Sequence, residues 1–260
     1  SGKSTTTGGW NTYIGHRAGE NATLSSNTGV GAEALRANNS GDGQNTAVGV
    51  LALTATSSGG SNTAVGHYAG ASNESGANNT YVGKSAGTGS TASHNTAVGA
   101  YALDAATTAN GNTALGKSAL SSQTSGVNNV ALGYNAGLNS TVGKESVYIG
   151  VNACGGAGNE TSETVAIGYE AYKDGTGEQN TLVGMKAGEA AAYSGNNNTC
   201  LGNGANPSAT AVSNEITLGN DAITKFRIPG LNFNLKDTTA TENYVLTVDA
   251  NGDCGWEAAA

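Results

Sequence analysis

A short pattern of polar, small and aliphatic positions recurs along most of this chain. Its fullest form, Asn-Thr-Ala-Val-Gly, occupies residues 45–49, 62–66 and 95–99, and an alanine follows each of these glycines three residues later. The chain contains thirteen copies, and their anchor glycines are 16 to 18 residues apart: Gly15, Gly31, Gly49, Gly66, Gly83, Gly99, Gly116, Gly133, Gly150, Gly168, Gly184, Gly202 and Gly219. Because so short a fixed period is typical of a solenoid, each copy is predicted to form one coil of a stack.

Positions are numbered here from the anchor glycine, which is position 0. Position −1 is aliphatic in every copy, and position −3 is threonine nine times, valine three times and isoleucine once. Side chains alternate along a strand, so these two positions share one face. The pattern predicts that this face fills the coil, with a structural core of Ile14, Val30, Val48, Val65, Val82, Val98, Leu115, Leu132, Ile149, Ile167, Val183, Leu201 and Leu218.

The residues after the strand predict a bend and a tight turn. An anchor glycine permits a bend or a close backbone approach that a Cβ would block, as expected at Gly15, Gly49, Gly66, Gly99, Gly133 and Gly168. Alanine stands at +3 in all thirteen copies, where we expect room only for a methyl group. Each repeat is therefore predicted to be a short strand, a bend, a second short strand and a loop of turn-forming residues.

Stacking would place each strand beside its equivalent in the next coil, in parallel and about 4.8 Å away, which gives a rod of roughly 60 Å. Position −4 is asparagine in ten copies. We expect these side chains to lie at a turn and to hydrogen-bond along the stack.

Position −2 points to the opposite face from the aliphatic column and never carries a charge. A solvent-exposed strand face would be expected to show Lys or Glu somewhere in thirteen copies. The sequence therefore predicts that neighbouring chains cover this face in a parallel homo-oligomer. The residues assigned to this inter-chain face are Tyr13, Ala47, Ala64, Tyr81, Ala97, Ala114 and Tyr148.

Three regions are predicted. Residues 1–10 are a polar lead-in that ends at Trp10, which is expected to cover the open end of the first coil, and residues 11–223 are the repeat array. Residues 224–260 contain both phenylalanines and strand-like runs at Leu231–Leu235 and Tyr244–Val248, followed by a turn pattern at 249–252. This last region is predicted to be a small β neck or cap.

Composition narrows the class of protein. The 260 residues include 41 glycines, only 12% are charged, and the formal net charge is −8. Such a composition can indicate disorder, but a disordered chain has no reason to keep the repeat register. No basic cluster predicts nucleic-acid binding, and no apolar run predicts a membrane helix. The start lacks methionine and shows no signal peptide, so we expect a fragment or processed piece of a longer chain.

The columns Asn, Thr or Val, Ala, Val or Ile, Gly and then Ala resemble the head repeats of trimeric autotransporter adhesins, over about residues 11–223. The resemblance implies a left-handed parallel β-roll with three chains side by side, although the coil here is longer than in typical heads. Segments 225–230 and 245–256 resemble parts of tail fibres and structural proteins of cyanophage-like bacteriophages, in which such repeat arrays also occur.

No catalytic or metal-binding constellation and no cofactor motif is apparent in the sequence. His16 and His67 share position +1 but lie three coils apart, and His94 has no partner in sequence. Cys154, Cys200 and Cys254 form no CxxC or Cys/His cluster, and the first two are interpreted as small buried side chains. Five tyrosines just after the anchor glycines could pack between chains or stack on sugars: Tyr68, Tyr101, Tyr134, Tyr169 and Tyr172.

The sequence therefore predicts a non-enzymatic structural segment of a trimeric virion tail fibre or related surface fibre, a rigid rod for host attachment. The predicted partners are two further copies of the chain and a host surface glycan or protein, and the receptor-binding residues remain unknown. The alternative is the head of a bacterial trimeric adhesin, which a membrane anchor encoded downstream would favour. Ice binding and a carbohydrate-active solenoid are weaker alternatives. Ice binding is disfavoured because the threonine column is expected to face inward.

Overall fold

The computed structural model describes residues 8–156, 158, 161–189, 193–225, 244–248 and 254–258. The chain divides into two compact units, Ser1–Ala222 and Ile223–Ala260. The first unit confirms the predicted all-β solenoid, and no helix occurs among the described residues. It has one three-residue strand per repeat: β1 Thr12–Ile14, β2 Thr28–Val30, β3 Thr46–Val48, β4 Thr63–Val65, β5 Thr80–Val82, β6 Thr96–Val98, β7 Thr113–Leu115, β8 Val130–Leu132, β9 Val147–Ile149, β10 Val165–Ile167, β11 Thr181–Val183, β12 Thr199–Leu201 and β13 Ile216–Leu218.

The thirteen strands form one parallel sheet in chain order, as predicted. Pairing is in register, so that Thr46, Ala47 and Val48 of β3 lie opposite Thr63, Ala64 and Val65 of β4. Equivalent positions therefore form continuous columns along the sheet. At the usual strand spacing, the thirteen strands span roughly 60 Å.

The anchor glycines make a close contact between successive coils. From Gly15 to Gly202 they have φ between +126° and +143°, a region that glycine adopts readily. A Cβ built at Gly66 would lie 2.4 Å from the carbonyl oxygen of Gly83, and the same approach recurs up to Gly184. No side chain fits there, because the next coil's backbone already occupies the space.

The segment after the glycine differs from the prediction, because it is a turn and not a second strand. Residues at +2 and +4 adopt left-handed conformations, as at Leu51 (φ 61°) and Leu53 (φ 47°). Such values are uncommon outside glycine. They point backbone amides along the stack: Leu51 N donates to Ala32 O of the preceding coil at 2.9 Å, and Leu53 N donates to Ala69 O of the next at 3.0 Å. The hydrogen-bond ladder thus continues beyond the strands.

The asparagines at −4 hydrogen-bond along the stack, as predicted. The Asn62 amide N–H donates to Asn45 Oδ1 at 2.9 Å, and Asn62 Oδ1 accepts from the Asn79 amide at 3.0 Å. The Asn62 side-chain amide also donates to the Gly76 carbonyl, 14 residues ahead, at 2.8 Å. Asn62 therefore joins its coil to both neighbours and ties the loop of its own coil to the start of the strand, and Asn45, Asn79, Asn112 and Asn129 make the same loop contact.

The predicted orientation of the strands is wrong. The −2 side chains face the inside of the coil, and those between Ala47 and Cys200 are fully buried. No −1 side chain is buried, and several are clearly exposed, including Ile14 at 60% and Leu115 at 45%. Because adjacent positions of a strand point to opposite faces, reversing the predicted inward face places every column on the opposite side of the sheet from the one predicted. The column predicted as structural core lies outside: Ile14, Val30, Val48, Val65, Val82, Val98, Leu115, Leu132, Ile149, Ile167, Val183, Leu201 and Leu218.

The predicted inter-chain face is accordingly the interior of the coil. Of its members, Tyr13 in the end strand is half-buried and the others are fully buried: Ala47, Ala64, Tyr81, Ala97, Ala114 and Tyr148. The interior accepts mostly alanine because the coil is narrow and the buried +3 alanine, such as Ala52 or Ala69, lies in the same core cluster.

Large and small side chains alternate between two interior positions, −2 and +4. Where −2 is alanine, +4 is often leucine, as in Ala97 with Leu103 and Ala114 with Leu120. Where −2 is large, +4 is often glycine: a Cβ at Gly87 would lie 2.3 Å from the ring of Tyr81. The two positions share a volume that holds one large side chain.

Two observations concern the ends of the chain. The Trp10 side chain is 91% exposed, so it does not cover the first coil as predicted. In the second unit, β14 Tyr244–Val248 and β15 Cys254–Ala258 form an antiparallel pair. β14 coincides with a predicted strand, whereas the predicted strand Leu231–Leu235 lies outside the described residues.

The shared volume can be tested with Gly87→Leu. The new side chain would collide with Tyr81, and we expect a loss of about 1–3 kcal/mol from overpacking, seen as a lower thermal midpoint. Adding Tyr81→Ala should restore part of that loss, because the pair then copies Ala97 with Leu103. If the two substitutions lower the midpoint additively, the positions do not share a volume.

Candidate interaction surfaces

The most extensive regular surface is the outside of the thirteen-stranded sheet, called here the outer sheet face. It consists of the −3 and −1 columns, which carry Thr, Val, Ile or Leu and no charged residue in any repeat. Ile216 at 72% and Leu218 at 48% exposure lie at one end of it, and Ile14 lies at the other. A long uncharged surface with a partly exposed aliphatic side chain at every level is unusual for a monomer and is typical of an interaction site.

A second surface lies past the bend at the anchor glycine, at positions +1 and +2. Tyr68, Tyr134 and Tyr169 are 39%, 45% and 47% exposed, and Tyr101 is half-buried. Lys84 Nζ lies 5.3 Å from the ring centre of Tyr101, and the same contact joins Lys117 to Tyr134 at 5.4 Å. These are cation–π distances.

Tyr172, the fifth tyrosine considered for sugar stacking, is not on this surface. It is fully buried at position +4, where its hydroxyl donates to Gly177 O and accepts from Asn180 Nδ2, both at 3.0 Å. Its ring also contacts Tyr193 edge to face, with ring centres 5.5 Å apart. Tyr172 is therefore a core residue.

Charged side chains form two similar groups across neighbouring coils. Arg17 contacts Glu20 in its own coil and Glu33 in the next, at 2.5 and 3.5 Å. Lys186 contacts Glu189 at 2.9 Å and Glu170 of the preceding coil at 3.4 Å. Solvent screens these exposed pairs, so their contribution to stability is small.

The histidines and cysteines are not brought together. His16, His67 and His94 are all exposed, and His67 packs edge-on against Tyr68 with ring centres 4.3 Å apart. Cys154 and Cys200 are buried in the solenoid interior, where burial raises the pKa of the Cys200 thiol. No group of three metal-binding side chains occurs in the part of the chain that the structure describes.

At the end of the array, Ser208 lines a polar hollow and is hydrogen-bonded to Glu215. Glu215 accepts hydrogen bonds from the Ser208 amide at 2.8 Å and from the Ser208 hydroxyl at 2.5 Å, which lower the pKa of the carboxyl group. A carboxylate held ionised in this way is a weak base. The pair thus lacks the activated nucleophile that hydrolytic chemistry needs.

Comparisons with protein-family models, with curated proteins and with solved structures find no match to this chain. Among the described residues, no helix is long and apolar enough to cross a membrane.

Sequence reasoning missed two features of these surfaces, the outward direction of the aliphatic column and the contacts between lysines and tyrosines. The outward direction had a signal in the sequence, since a large residue at −2, as at Tyr13, Tyr81 or Leu182, is followed by glycine at +4. The contacts between lysines and tyrosines also had a signal in the sequence, because tyrosines follow every second strand from Tyr68 to Tyr169.

Buried tyrosines give the array a pH limit. Burial raises the pKa of Tyr81 to about 12, and it also raises the pKa of Tyr148 and Tyr172. The folded state then holds these protons more tightly than the unfolded state, so stability is complete below about pH 10 and falls as the pH rises toward 12.

The expected result is a thermal midpoint that declines between pH 10 and 12. In the matched variant Tyr81→Phe, which removes one such group and keeps the ring, the decline should be shallower. Equal slopes for the two proteins would show that Tyr81 does not contribute.

Proposed function

We propose that this chain is a structural segment of a surface fibre, in which three parallel copies pack through their outer sheet faces. The observation that carries the proposal is the exposed −1 column, which is aliphatic in all thirteen repeats and lies outside the coil. A partner of the same sequence offers a matching apolar surface along the full length of the sheet. Packing these faces together would remove aliphatic surface from water.

Cyclic symmetry about an axis along the solenoid fits this surface. The columns are in register, so parallel copies place equivalent coils at the same level and bring the same residues together at every step. A parallel arrangement also directs all chains the same way, as a fibre requires. The number three rests on the resemblance to trimeric adhesin heads.

The proposed role is mechanical and not catalytic. A continuous backbone ladder and the asparagine column resist unfolding, and the segment gives reach of roughly 60 Å. We place it outside the cell, on a virion as part of a tail fibre or on a bacterial surface as an adhesin head. The tail-fibre assignment rests on the resemblance of segments 225–230 and 245–256.

Assembly is tested by light scattering on the full chain, which should give three times the 25.5 kDa of one chain. Leu115→Asp with Leu132→Asp places charges on the outer sheet face and should weaken association by more than about a hundredfold, because buried unpaired carboxylates are costly. Circular dichroism should be unchanged, since both side chains lie outside the coil.

Ser58→Asp is the control, because it adds a charge at an exposed loop position. It should leave the mass unchanged. A monomeric wild-type protein at working concentration would refute the proposed trimer.

Ice binding is a second candidate, because the observation that disfavoured it is reversed. Threonine occupies −3 in seven consecutive strands, β1 to β7, and it points outward beside the aliphatic −1 column. This arrangement presents hydroxyl and methyl groups at about 4.8 Å intervals along the array and roughly 7 Å across it. A regular, uncharged surface of this kind could order water. The same face cannot also be covered by neighbouring chains.

Ice-crystal growth in a dilute solution of the chain distinguishes these roles. If the face binds ice, crystals should be shaped and their growth delayed, and Thr80→Tyr should abolish the effect by interrupting the array. Ser58→Asp should retain it. Normal crystal growth with the wild-type protein would eliminate this candidate.

A further inference from the structure

We infer that the surface past the anchor glycines binds an extended acidic polysaccharide. The surface is the tyrosine–lysine stripe, defined as Tyr68, Lys84, Tyr101, Lys117 and Tyr134. Its members follow strands β4, β5, β6, β7 and β8, so each coil contributes one and the two residue types alternate. The inference deepens the proposed function, since a fibre that attaches to a cell needs a surface ligand.

The stripe has a regular spacing that matches a polymer. Tyrosines follow every second strand, at position +2 for Tyr68 and Tyr101 and at +1 for Tyr134, and two coils span about 10 Å along the array at the usual strand separation. This step is about the length of two linked pyranose rings in an extended chain. Tyrosine rings at that interval, of which Tyr68 and Tyr134 are exposed and Tyr101 is half-buried, can stack on alternate sugars, while the lysines between them lie level with the sugars in between.

The charge of the stripe indicates an acidic ligand. The chain has a net charge of −8, yet positions +1 and +2 carry no Asp or Glu in the coils that follow β4 to β8. Neither Lys84 nor Lys117 forms a salt bridge with any residue that the structure describes. Each is held near a tyrosine ring, so an ammonium group is positioned to bind a carboxylate or sulfate.

The neighbouring acidic side chains lie elsewhere in the coil. Asp104, at position +5, accepts a hydrogen bond from Ser121 Oγ at 2.8 Å, and Glu74 lies at position +8. The stripe therefore forms a local cationic and aromatic line on an acidic protein. Because it lies past the bend from the outer sheet face, a ligand on it and neighbouring chains on the sheet can use different columns.

Single-stranded nucleic acid is the other polymer that aromatic and cationic side chains can bind. The two-coil step is longer than the separation of stacked bases, and the net charge of the chain repels a polyanion with a phosphate at every residue. These features favour a polysaccharide with more widely spaced charges.

Binding of the full chain is measured by calorimetry with hyaluronan and unsulfated chondroitin oligosaccharides, in both of which a carboxylate-bearing sugar alternates with a neutral one. Methyl-esterified hyaluronan keeps the backbone and removes the charge. We expect binding to at least one acidic probe, about tenfold weaker binding to the ester, and weakening with salt. No binding to either acidic probe, equal binding of the ester, or tighter binding of single-stranded DNA would overturn the inference.

The spacing is tested by combining Tyr101→Ser with Ser118→Tyr. This variant keeps the composition and moves one ring by a single coil to a +2 position of the same left-handed conformation. We expect about three- to tenfold weaker binding, whereas Tyr101→Phe and the exposed loop change Lys144→Gln should bind as the wild type does. Unchanged affinity in the shifted variant would show that the two-coil step has no role.

The mass and thermal midpoint of every variant are measured alongside, so that a folding defect is recognised. A monomer that binds the acidic probe would refute the trimer and leave this inference standing. A trimer that binds neither acidic probe would refute this inference and leave the proposed trimer standing.

Discussion

The asparagine column is the interaction on which the rest of the solenoid depends. One side chain, Asn62, accepts from the next coil's backbone, donates to its own loop at Gly76 and hydrogen-bonds to Asn45 in the coil before. Loss of this side chain would leave the buried Asn79 amide without its acceptor, at about 1–3 kcal/mol, whereas the Gly76 carbonyl would keep the Asn73 side-chain amide as a donor. Ser146 and Thr164 continue the column, because their hydroxyl oxygens still accept the next backbone amide. The column therefore tolerates a change of residue but not the loss of an acceptor.

The narrow interior is the second constraint, and it explains what could be predicted from the sequence. The repeat period and strand preference of Thr-Ala-Val identify the strands, their parallel order and their register, and the structure agrees on all three. The orientation could not be obtained from hydrophobicity, because the usual rule places Val65 inside and Ala64 at the partner surface. Here the interior admits alanine, and the larger valine lies outside. A larger side chain such as Tyr81 fits at −2 where +4 is small, as at Gly87, so the interior is set by the volume that these two positions share and not by the hydrophobicity of −1.

The turn segment shows a related limit of sequence reasoning. Leu53 and Leu103 adopt left-handed conformations that leucine seldom adopts, and their identity gives no warning of it. Their amides hydrogen-bond to neighbouring coils, and their side chains fill the space left by Ala47 and Ala97. A conformation that is unfavourable for one residue is thus stabilised by the stack. The contact between Lys84 and Tyr101 also joins two coils, so the sequence of a single repeat does not reveal it.

The difference between the two outward columns bears on what covers them. Position −3 is threonine in nine of the thirteen copies, and threonine has a high propensity for half-exposed strands. Position −1 is never threonine, although its side chain lies outside the coil and does not pack in the interior. Solubility alone would favour a polar residue in at least one of thirteen copies, and strand propensity alone would allow threonine. A requirement for aliphatic surface at every level of the array is explained if another surface packs against that column, which favours neighbouring chains over water as the environment of the outer sheet face.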